Sequence, residues 1–170
     1  MRLTVNLLPL LAYLLLSLSS AADGRSDTNQ LFSLTLHAPS TPLKFGAEVR
    51  LRVTVTNISG NTIRFGRTPG IVPEEELSYD IEVRNAPGQL PPLTPFFRHL
   101  KENPASTWGS YTTYSLEPGK SFDDELVITK LYVLTEPGKY TIWVARGQDP
   151  LEKSGKGVVK SDDITLTITK

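Results

Sequence analysis

Two histidines and no cysteine are all that the 170 residues offer to imidazole or thiol chemistry. Without thiols there is no disulfide framework, no zinc–thiolate site and no cysteine nucleophile. His37 falls on the polar side of an alternating segment with Ser33 and Thr35, and His99 lies in a proline-rich stretch. Neither has a second ligand nearby in sequence, whereas a metal centre needs three or four that converge. Gly119-Lys120-Ser121 copies the end of a phosphate loop, but Tyr114 stands where that motif needs its first glycine. The acidic run Glu74 to Glu76 has the oxygen chemistry of a calcium edge and reads more simply as a solvated loop. No cofactor and no metal are implied, and the expectation is a protein that is not an enzyme. Only a pair of carboxyl groups facing each other at about 5 to 9 Å, the spacing of glycoside hydrolysis, would reopen that question.

Recognition chemistry is better represented. Trp143 occupies an outward position of a late alternating segment, with Arg64 and Thr165 or Thr167 as its expected neighbours across a sheet; Trp108 and Tyr111 flank the entrance to another strand. An exposed indole can stack on a sugar ring or anchor a protein partner. The competing reading is that the long loop from 85 to 110 folds over Trp143 and makes a second small core. Asp124 is the other anomaly, because the alternation of Leu126 and Ile128, carried backwards, turns it inward beside Phe122. Burying an unpaired carboxylate costs several kcal/mol, so a β-bulge between Asp123 and Glu125 that turns it outward is expected, with a buried functional acid as the alternative.

The elements that position these residues are strands. From Glu48 to Asn57, Val49, Leu51, Val53 and Val55 alternate with Arg50, Arg52, Thr54 and Thr56, the period of a half-buried strand. The pattern recurs at Phe32–Leu36, Ile63–Phe65, Tyr79–Val83, Leu126–Ile128, Tyr140–Val144 and Ile164–Ile168. Asn57-Ile58-Ser59-Gly60-Asn61 reads as a tight hairpin, and the two Glu-Pro-Gly-Lys sequences at 117–120 and 136–139 as type II turns. Pro87, Pro91, Pro92, Pro95 and Pro104 make 85–110 a long loop, in which Thr94-Pro95 caps a helical turn that docks Phe96, Phe97 or Leu100 on the core. The fold class is therefore all-β: an immunoglobulin-like antiparallel two-sheet sandwich of seven to nine strands with a long proline-rich loop. Leu51, Val53, Val55, Ile81, Leu126, Tyr140, Ile142, Val144 and Leu166 are its expected core, and Tyr140 its expected corner tyrosine.

Residues 1–22 read as a signal peptide: Arg2, an apolar run from Leu3 to Leu18 broken by Asn6 and Pro9, and small residues from Ser19 to Ala22. Residues 23–30 are then a flexible N-terminal segment and 31–170 the sandwich domain. Losing Arg2 with the leader leaves 17 basic against 18 acidic residues, a net charge of −1. That balance argues against electrostatic binding to nucleic acid, which needs a basic stripe, and no later segment is long and apolar enough to be expected to insert into a membrane once the leader is gone. The expected location is the periplasm or the medium.

Leu116-Glu-Pro-Gly-Lys-Ser-Phe122, Leu131-Tyr132, Glu136-Pro-Gly-Lys-Tyr140-Thr-Ile142 and Val159-Lys160-Ser161-Asp162-Asp163-Ile164 resemble uncharacterised secreted bacterial immunoglobulin-like proteins over most of the mature chain. The shared residues are turn and core positions, so the resemblance implies a fold and little about function. More distantly the layout is similar to proteinase-inhibitor-like and protease-prodomain-like sandwiches. The functional expectation is a secreted binding module with a protein or carbohydrate partner. The alternative is an inhibitor of secreted proteases acting through Gly88–Thr94, stiffened by Pro91 and Pro92.

Overall fold

In the computed structural model, residues 30–39, 42–67, 78–103, 112–148 and 157–170 are described. The leader, Glu74 to Glu76, Trp108 and Tyr111 lie outside them. The ten strands among the described residues are β1 (Phe32–His37), β2 (Leu43–Lys44), β3 (Arg50–Asn57), β4 (Ile63–Arg67), β5 (Asp80–Asn85), β6 (Thr112–Leu116), β7 (Ser121–Val127), β8 (Gly138–Gly147), β9 (Val158–Lys160) and β10 (Ile164–Thr169). That is one more than the upper expectation. β2 and β9 hold two and three residues, too few for alternation to show.

The strands build an all-β antiparallel sandwich. One sheet runs β1-β3-β7, with β3 central as its long alternation requires; the other runs β2-β10-β8-β5, with β9 also paired to β8; β4 and β6 pair with each other. Every pairing is antiparallel except that of β2 with β10. All nine expected core residues are buried, none more than 8% exposed. They come from facing sheets: Leu51, Val53, Val55 and Leu126 from the first, Ile81, Tyr140, Ile142, Val144 and Leu166 from the second. Period-2 alternation sends one face of each strand into this layer, and removal of its apolar surface from water at about 25 cal/mol per Å² drives the packing. Phe65 of β4 enters between the sheets and meets Phe32 and Phe122 edge-on, at 5.3 and 5.4 Å between centroids.

Three local expectations give way. The Asn57–Asn61 segment is not a hairpin: β3 pairs with β1 and β7, β4 with β6, so the segment crosses between sheets. Buried Asn57 holds it, donating through Nδ2 to the carbonyls of Asn61 and Leu116 and accepting from the N–H and hydroxyl of Ser59. The turn at 117–120 is as expected, with Lys120 N–H donating to Glu117 O at 3.1 Å and Gly119 at φ +70°. At 136–139, however, Gly138 has φ +155°, far from the roughly +80° of a type II turn, and opens β8. There the Tyr140 hydroxyl donates to Glu136 O at 2.7 Å, the expected corner contact. Finally, Ile128 does not continue its strand; β7 ends at Val127 and Ile128–Leu131 forms one helical turn, α2.

In the proline-rich segment Thr94 caps α1, a helix over Pro95–Glu102, accepting from Phe97 N–H; Phe97 and Leu100 are buried and Phe96 is exposed. The approach to the helix is strapped to α2 and its exit: Thr94 N–H donates to Leu131 O, the Thr94 hydroxyl to Lys130 O, and Val133 N–H to Pro92 O.

Candidate functional site

β8 is the strand on which the two anomalous sequence features meet, one on each of its faces. Its inward series Tyr140, Ile142, Val144 continues to Arg146, and the outward series contains Thr141 and Trp143.

On the inner face, Asp124 is buried in an unbroken register with β3, paired with Val53 between Thr54–Asp123 and Arg52–Glu125. The expected outward-turning bulge is absent from β7. The carboxylate has partners instead: the Tyr79 hydroxyl donates to Oδ2 at 2.6 Å, and an Arg146 terminal nitrogen lies 3.8 Å from the same oxygen and donates to the Tyr79 hydroxyl at 3.2 Å. The guanidinium stacks between the Phe65 and Tyr79 rings, at 4.7 and 5.1 Å from their centroids. Burial pushes the Tyr79 phenol far above its ordinary range, and the neighbouring Asp124 charge adds to the rise. A phenol locked neutral beside a closed ion pair ties β7, β8 and the entrance to β5 together across the core. It joins the two sheets, with Asp124 only 3% exposed.

Trp143 lies on the outer face of the second sheet. In register, Trp143 stands opposite Glu82 of β5, Thr141 lies between Arg84 and Thr165, Lys139 opposite Thr167, and Ala145 between Asp80 and Lys160. On the remaining flank of Trp143 the strand is interrupted between β9 and β10. Ser161 holds that break, its N–H donating to Val144 O at 2.9 Å and its Oγ accepting from Val144 N–H at 3.1 Å. The break contains Asp162 and Asp163. Trp143 is half-buried, and Lys160 Nζ lies 4.3 Å from its ring centroid. Lys160 in turn reaches Asp163 at 3.2 Å, and Arg84 is held by Glu82 at 2.5 Å.

The expected neighbours divide. Thr165 sits one pair along from Trp143 on the same face, as anticipated. Arg64 does not join it: it belongs to β4, opposite Ser115 of β6, because the segment before β4 crosses between sheets instead of forming a hairpin. Trp108 and Tyr111 lie outside the described residues. Glu82, Lys160 and Asp163 were missed, since alternation shows which way Trp143 faces but not which strands flank it. A shallow opening of about 290 Å³ near Gly46, Glu48 and Lys130 brings no comparable set together, and Glu48 is already engaged by Arg50.

No known protein family matches the chain, and no curated protein does. Among solved structures it is similar to a β-glucosidase from Erythrobacter marinus, with 15% identity and a TM-score of 0.40, over 81% of this chain and 16% of that one. A β-glucosidase from Listeria innocua in complex with glucose gives 15% identity and 0.38, over 82% and 16%. The chain thus spans about a sixth of the length of these enzymes, and likeness at this level carries no argument about activity. The fold itself is an all-β sandwich, with Trp143 on the outer face of its second sheet. No helix among the described residues is long and apolar enough to cross a membrane.

Proposed function

We propose that this chain is an exported, non-enzymatic binding module of the periplasm or medium whose interaction surface is the outer face of β5, β8 and β10. The supporting observation is the placement of Trp143, a large, half-buried aromatic in the middle of a face whose other residues, apart from the small Ala145, are polar. Indoles contribute large contact area at low entropy cost, which is why they anchor interfaces. The test is an array of glycans and exported proteins probed with the wild-type chain and with Trp143→Ala. The proposal expects binders that the variant loses, a true anchor being worth about 2 kcal/mol or more. Equal binding by a variant of lowered thermal stability would make Trp143 a packing residue, and turnover of a glycoside by the purified chain would contradict the non-enzymatic reading.

A second reading, inhibition of secreted proteases, draws on Leu90. It is 55% exposed on a loop whose backbone is fixed on both sides, by Asn85 N–H donating to Gln89 O and Val133 N–H donating to Pro92 O. A pinned loop with one protruding apolar side chain has little ordering entropy to lose on entering a cleft. Failure to slow any of a panel of serine, cysteine and metalloproteases would discard it.

A further inference from the structure

The Trp143 ring is not bare. Lys160 Nζ stands 4.3 Å from the centroid, the position in which a cation meets the negative face of an indole. Three local features place it there: β9 ends at Lys160, Ser161 pins the break to Val144, and Asp163 pairs with the ammonium at 3.2 Å. Across the ring, Glu82 is the direct cross-strand partner of Trp143. Glu82 is itself held by Arg84, so the ion pair at the ring is that of Lys160 with Asp163, both about half-exposed and easily exchanged.

Three kinds of ligand fare differently here. A neutral sugar has to displace Lys160, and its hydroxyls then donate hydrogen bonds to Asp163 without replacing the lost charge pair. An anion gains from Lys160 but meets Asp163 and the negative ring face. A cation gains from the ring and from Asp163 once Lys160 swings away, and a guanidinium gains most, being planar, weakly hydrated and suited both to stacking and to bidentate carboxylate pairing. We infer that the Trp143 face receives an arginine side chain of a partner protein, and that Lys160 is the chain's own cation holding that place in the free protein. This inference rests on reading the Trp143 face as the interaction surface.

The experiment is isothermal titration of the chain with a tetra-arginine peptide, with tetraserine and cellohexaose as comparison probes, on the wild type, Lys160→Ala, Asp163→Asn and Trp143→Ala, each checked by thermal melting. Tetra-arginine is expected to bind saturably. Lys160→Ala is expected to tighten it about two- to fivefold, the worth of one exposed cation–π contact. Asp163→Asn should weaken it, and Trp143→Ala should abolish it. Absence of a saturable response to tetra-arginine, or a response that Lys160→Ala leaves unchanged or weakens, overturns the inference. If cellohexaose then binds and Trp143→Ala abolishes that binding, the surface stands with a different ligand. If Trp143→Ala affects no probe, the surface reading fails as well.

Discussion

Replacing Asp124 with alanine removes the acceptor of the Tyr79 hydroxyl and the counter-charge of Arg146, whose side chain is 7% exposed. What remains is a guanidinium in the core with two aromatic rings and no carboxylate at the Asp124 position. Breaking a buried pair from one side costs about 3 to 5 kcal/mol, because the surviving charge keeps its desolvation penalty. Partial relief from the Phe65 and Tyr79 faces favours the lower half of that range. For a domain of this size the loss corresponds to a melting temperature lower by roughly 10 °C. Urea unfolding followed by circular dichroism measures it directly, provided the slope with denaturant stays constant. The same reasoning makes the combined variant Asp124→Leu, Arg146→Met, Tyr79→Phe less damaging than Asp124→Ala, since it removes the buried charges together. A loss below about 1 kcal/mol for Asp124→Ala, or a triple variant less stable than the single one, would refute the account of the joint.

Tyr79 carries a pH signature of definite sign. Its folded value lies above the roughly 10 of an unfolded tyrosine, so the stability it confers is complete below about pH 10 and declines as pH rises beyond it. Urea midpoints at pH 8 and pH 11 should therefore fall further for the wild type than for Tyr79→Phe, and equal falls would count against a neutral buried phenol. Asn57→Ala removes the amide donor of the Leu116 and Asn61 carbonyls at a site 1% exposed, with the Asn61 carbonyl keeping the Ser59 hydroxyl, and should cost about 2 kcal/mol in the same assay. Thr94→Ala should cost about 1 kcal/mol through the lost cap of α1. Amide exchange at Phe97 should rise in that variant, and an unchanged rate would mean that the cap is dispensable.

Local signals were enough wherever the answer depended on one element. The alternation of Leu51, Val53 and Val55 and of Tyr140, Ile142 and Val144 identified the core faces because a sandwich strand has only two sides. Thr94-Pro95 announced the helix start because cap chemistry is confined to a few residues. Pairing between distant strands was a different matter. Nothing in Asn57–Asn61 says whether the next strand returns beside β3 or crosses to the other layer, and that choice separated Arg64 from Trp143. Asp124 was the instructive case. A bulge is cheaper than an unpaired buried carboxylate, and the partner that reverses this balance, Arg146, is 22 positions further along the chain. A trace of it was present, since extending the inward series of β8 by one step past Val144 sets an arginine on the core side.

The central claim is that the outer face at Trp143 is where this chain meets its ligand. The most direct measurement follows the indole N–H resonance of Trp143, identified in a proton–nitrogen correlation spectrum by its loss in Trp143→Phe, while the strongest binder from the array is titrated in. The account predicts that this resonance shifts or broadens saturably along the binding isotherm. A binder that reaches saturation while the Trp143 resonance stays fixed would contradict it.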